Sequence, residues 1–71
     1  MSPKTPRLTA ADVIKALKKH GFVEASQSGS HKKFFNSTTR RIAIVPVHSG
    51  KILPIGTLKS IEKQAGISFS G

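Results

Sequence analysis

The chain has 71 residues, with 12 Lys and Arg against 3 Asp and Glu, a formal net charge of +9, and no cysteine. A chain of this size has room for one small domain, which buries only about 60% of the surface its unfolded form exposes, so a multidomain enzyme is excluded and a partner's stabilising contacts matter. Without cysteine there are no disulfides, Cys-based zinc sites or thiol nucleophiles, a composition that suits a reducing cytoplasm.

Residues 1–7, with two prolines and two basic side chains, read as a loose basic tail ahead of a single domain over 8–71. Met1 to Leu8 lacks the apolar core of a signal peptide, and the longest aliphatic run, Ile42-Ala43-Ile44-Val45, is far too short to cross a bilayer. Thr9-Ala10-Ala11-Asp12 is a capping box, a hydroxyl N-cap with an acid three residues on, and Leu8 and Val13 stand at the positions of a hydrophobic staple. Val13, Ile14 and Leu17 form the apolar stripe of a first helix whose negative end suits Lys18 and Lys19. Gly21, in the left-handed conformation, stops it and lets Phe22 fold back onto Leu17.

A short strand is expected from Phe22 to Ser26, a turn from Gln27 to Ser30, and a second strand from His31 to Phe35. Asn36 to Thr39 closes a hairpin, and Arg40 to Val47 supplies a third strand that Pro46 must end or bulge. If Phe34 faces the core, Lys32 shares its face, while His31, Lys33 and Phe35 take the other. On the third strand Ile42 and Ile44 are expected to face the core, which places Arg41 on the open face with His31, Lys33 and Phe35. After a loop from His48 to Leu53, Pro54 at or near the first helical position opens a second helix to about Ala65. There Ile55, Leu58 and Ile61 recur at helical spacing, and Gly66 caps the end with Ile67 placed to pack on Ile61. The order α-β-β-β-α predicts an α+β fold, two helices on one face of a three-stranded antiparallel sheet, with the other face left to solvent or a partner.

The three acids, Asp12, Glu24 and Glu62, are spread along the chain, so neither a paired-carboxylate mechanism nor a carboxylate-held magnesium is expected. Neither a Gly-x-Ser-x-Gly elbow nor a Walker-type loop is present. Histidine, the side chain that both gives and takes protons near neutral pH, remains. His20 sits at a helix C-terminus, where a charge-dipole role accounts for it. No two histidines have i, i+2 or i, i+4 spacing, so a zinc site is not expected. His31 follows a flexible turn and opens a strand beside Lys32 and Lys33; by pattern alone the commoner reading is a solvated strand end. The basic excess calls for an acidic partner, a polyanion or an acidic protein. Phe35, beside Lys33 on the open face, stacks a base or, as is commoner for an aromatic there, covers a neighbouring strand or fills a protein interface.

Gly29-Ser30-His31, then Val45-Pro46-Val47-His48, Pro54-Ile55-Gly56-Thr57-Leu58 and Gln64-Ala65-Gly66-Ile67, in this order within Leu8 to Ser68, resemble the HicA toxins. The resemblance implies a fold like the double-stranded-RNA-binding domain. It also implies a ribosome-independent mRNA endonuclease of stress response and growth arrest, neutralised by a HicB antitoxin seated over the active face. The family's catalytic histidine falls on His31; many members have a second histidine or polar residue directly after it, where this chain has Lys32. On this reading His31 serves as general base on the RNA 2′-hydroxyl or general acid to the 5′-oxygen, and His48 is the candidate for the complementary role. Lys32, Lys33 and Arg41 stabilise the developing phosphorane charge, and Gly29, Ser30 and Phe35 complete the RNA contacts. No metal or other cofactor is called for, no membrane is involved, and DNA is met only through the antitoxin complex. The alternatives are a non-catalytic double-stranded-RNA-binding module and a basic protein-interaction module. The first should open its last helix with a basic cluster, whereas here no basic residue follows Pro54 before Lys59.

Overall fold

Helix α1 (Ala10–Lys19) starts where the sequence supplies partners for its unpaired N–H groups. In the computed structural model, which describes residues 7–48 and 50–69, the Thr9 N–H and Oγ1 each donate to Asp12 Oδ2 at 3.0 Å, and the Asp12 N–H donates to Thr9 Oγ1 at 3.3 Å. The basic tail expected over residues 1–7 lies, apart from Arg7, outside the described residues. At the other end Gly21, with φ of 91°, lets the Phe22 N–H reach the Leu17 carbonyl at 3.0 Å and its own N–H reach that of Lys18 at 3.1 Å. This pair of bonds is the Schellman motif, and it delivers Phe22 straight into the core.

Strands β1 (Val23–Ser28), β2 (His31–Asn36) and β3 (Arg41–Pro46) form an antiparallel sheet in that order, and α2 (Ile55–Ala65) completes the α-β-β-β-α arrangement. One core lies between the sheet and both helices: Val13 and Leu17 from α1, Phe34, Ala43 and Val45 from the sheet, and Leu58, Ile61 and Ala65 from α2. β1 runs two residues further than expected, to Ser28, so Gly29 and Ser30 alone make the turn into β2. A bulge between Glu24 and Ser26 shifts its register against β2.

The facing of β3 is the reverse of the sequence expectation. Ala43 and Val45 are fully buried, whereas Ile42 and Ile44 are 44% and 41% exposed on the outer face. The cause is the hairpin register, in which Asn36 pairs with Arg41, Phe34 with Ala43 and Lys32 with Val45. Asn36 fixes it. Its buried side-chain amide donates to the His20 carbonyl at 2.9 Å and accepts from the Thr38 and Thr39 N–H groups at 2.9 and 3.2 Å, while Arg40 closes the turn with φ of 64°. Arg41 therefore shares the helix face with Phe34. It does not join His31, Lys33 and Phe35; its guanidinium reaches the Lys63 carbonyl at the C-terminal end of α2 at 3.5 Å.

Pro54 is the N-cap of α2, one residue ahead of the first helical position. Ile55, at the helix start, is 55% exposed and stands outside the stripe that Leu58 and Ile61 bury. Gly66, with φ of 71°, ends the helix in the left-handed conformation, and Ile67 follows it half-buried against the core. The preceding loop contributes Leu53 to that core, held by its N–H to the Leu8 carbonyl at 2.7 Å. Helix α2 also covers the free edge of β3, where the Ile44 N–H donates to Gln64 Oε1 at 2.9 Å and Gln64 Nε2 donates to Ser60 Oγ at 3.2 Å.

Candidate active site

Alternation along β2 turns Lys32, Phe34 and Asn36 toward the helices and His31, Lys33 and Phe35 outward. Each outward residue sits in a cross-strand row. Ser28, His31 and Pro46 form the first, Ser26, Lys33 and Ile44 the second, and Val23, Phe35 and Ile42 the third. The outer face is thus graded, polar and basic at the His31 end and apolar at the other.

His31 is exposed at the first position of β2, immediately after the Gly29-Ser30 turn. The ladder continues past it, since the Val47 N–H donates to the Ser30 carbonyl at 2.6 Å, so Val47 and His48 lie at the same end of the sheet as Gly29 and Ser30. His48, exposed after β3, lines a cleft with Lys32 against the first turns of α1, on the helix side. Lys32 is oriented by Glu24, with Nζ 3.5 Å from Oε1. Lys33 stands two residues along from His31 on the same face. Phe35 is two further, half-buried between Val23 and Ile42 in the apolar row. Arg41 is not part of this group. It pairs with Asn36, five residues from His31, which at about 3.3 Å per residue places it roughly 17 Å along the sheet and on the other face.

Each of the three acids has a partner. Asp12 caps α1, Glu24 holds Lys32, and Glu62 Oε2 accepts from the Phe69 N–H at 2.6 Å. Among the described residues no three acids or histidines are gathered as a metal site would need.

A family model described as the HicA toxin of bacterial toxin-antitoxin systems matches residues 10–67. The chain belongs to the HicA toxin family. As a HicA toxin it has a cognate antitoxin, and the match runs from the first residue of α1 through all three strands to the residue after Gly66. The comparison with curated proteins found no match for this HicA chain. None of its described helices is long and apolar enough to cross a membrane.

The sequence places His31 and Lys33 on one face of β2 and Lys32 on the face of Phe34, as the structure has them, but it does not show the outward Val23, Ile42 and Ile44, nor the cleft behind Lys32. The signal was present in the turn length. An antiparallel hairpin with an even number of loop residues puts odd-numbered β3 residues on the face of Phe34, so Ala43 and Val45 face inward whatever the size of their neighbours.

Proposed function

We propose that this HicA toxin is an mRNA endonuclease that cuts by way of the RNA's own 2′-hydroxyl, with His31 as its central proton-transfer group. The observation that carries this reading is the position of His31, exposed at the start of β2 with Lys33 on the same face, in a chain whose three acids each have a partner, Glu24 with Lys32 among them. In the reaction the 2′-oxygen forms a bond to phosphorus as the bond to the 5′-oxygen breaks. One group takes the 2′-hydroxyl proton and another delivers a proton to the departing 5′-oxygen, leaving a 2′,3′-cyclic phosphate and a 5′-hydroxyl. His31 fills one of these roles and His48, at the same end of the sheet, is the candidate for the other. Lys33, and Lys32 from the cleft side, stabilise the charge that develops on the phosphorane oxygens.

The antitoxin's place, on the same reading, is the outer face. A HicB partner seated there would cover His31 and bury the apolar row of Val23, Phe35 and Ile42, and an acidic one would answer the +9 charge. This function belongs in the cytoplasm, where mRNA and antitoxin both are.

His31→Ala tests the reading. The variant should fold and bind RNA but lose cleavage by at least about 100-fold, together with growth arrest. A single 2′-deoxynucleotide at the scissile position should block cutting by the parent protein, and a chelator should not. Retained cleavage by His31→Ala would remove the central assignment.

A further inference from the structure

The geometry points to a binding site for one unstacked nucleobase of the RNA in the cleft between α1 and the end of the sheet. The cleft measures about 460 Å³, within the roughly 300–1,000 Å³ of small-ligand sites. Its walls are apolar, from Ala10, Ala11 and Ile14 of α1 and Val47 beyond β3, and two cationic or ionisable side chains, Lys32 and His48, stand in its lining. Aliphatic walls bury the apolar face of a base, and the Lys32 ammonium beside them meets the anion that every RNA linkage carries.

Continuity with the cutting site decides the occupant. His31 and Lys32 are consecutive on β2, so one strand presents His31 to the outer face and Lys32 to the cleft. The sheet ends between them at Gly29 and Ser30, joined to Val47 by the 2.6 Å bond. A single strand crossing that end lays a phosphate against His31 and turns the adjoining base into the cleft. The site rests on the endonuclease reading for its substrate, and it adds that the enzyme grips one base beside the bond it cuts.

The test separates the two. Binding is measured on 2′-O-methyl RNA, which lacks the attacking hydroxyl, with an abasic site moved one position at a time along a short single strand. For the parent chain one position should stand out, weakening binding on the order of ten-fold. Ala11→Leu, an exposed helix position whose larger side chain fills the cleft, should bind intact RNA that much more weakly and show no outstanding position. Ala11→Leu should leave thermal unfolding and antitoxin affinity at the parent's values. An abasic profile in Ala11→Leu identical to the parent's would overturn the site. So would a loss of antitoxin binding with RNA binding untouched, which would make the cleft a protein contact. Because binding is read on uncleavable RNA, a failure of the His31 variant to lose cleavage bears on the chemistry alone.

Discussion

Asp12 ties the start of a helix to a pH dependence. Its carboxylate accepts from the Thr9 backbone N–H and then from Oγ1, and these bonds, with a smaller pull from Lys15, hold its pKa below the ordinary value of 3.8 against a weak opposing effect of burial. A carboxylate whose folded pKa lies below its unfolded one adds stability that is complete above the unfolded value and is lost as pH falls through the folded one. Asp12→Asn should therefore melt earlier than the parent near neutrality and converge with it in acid, below about pH 4. Parallel melting curves down the whole acid range would refute this. Thr9→Ala removes the hydroxyl that closes the box and should cost about 1 kcal/mol by denaturant unfolding. Both residues were legible as a cap from Thr9-Ala10-Ala11-Asp12 alone, because a capping box needs only local chain geometry.

At the scale of elements, Gly66 joins α2 to β3 through what it lacks. A Cβ there would stand 2.7 Å from Arg41 Nε and 2.9 Å from Cζ, at a φ of 71° that side chains resist. Gly66→Ala should cost about 1–2 kcal/mol from the backbone conformation. The steric share should shrink in an Arg41→Ala background, a coupling that a double-mutant cycle reads directly. The same pair marks the limit of what was legible. Both helix ends, the strand order and the place of His31 followed from local signals: caps, turn residues and the Gly29-Ser30-His31 run. The facing of β3 did not, because Ile42 and Ile44 outrank Ala43 and Val45 in size, and hydrophobicity alone does not distinguish a core from a surface awaiting a partner. Leu53 was hidden for a related reason. It enters the core from a loop, with no periodicity to announce it, and is held by a backbone bond to Leu8 that only the tertiary fold creates.

For the whole molecule, the gradient on the outer face separates two kinds of binding. RNA is drawn by charge, and if about six basic residues meet phosphates, single-strand binding should fall with a log-log salt slope near −4, measured by titration at several salt concentrations. A slope near −1 would mean that most of the +9 charge faces away from the substrate. The antitoxin, on the proposed reading, is held by apolar contact as well. Ile42→Ser with Ile44→Ser, both outward-facing, should leave cleavage intact and weaken antitoxin binding by about 30-fold or more, the scale of an interface hot spot. The plugging of β3 by Gln64 has a consequence for how copies of the toxin meet once the antitoxin is gone. Ile44, one of the residues whose N–H points away from the sheet on that edge, is already bonded to Gln64, and Pro46, two residues on, has no N–H to give. The opposite edge, β1, is exposed along its whole length. A molecule with one usable edge extends a sheet only by pairing that edge with its own copy, which closes on a two-fold axis and stops. Edge-to-edge pairing of freed toxin should therefore stop at pairs, where a sheet open on both sides would grow into fibres.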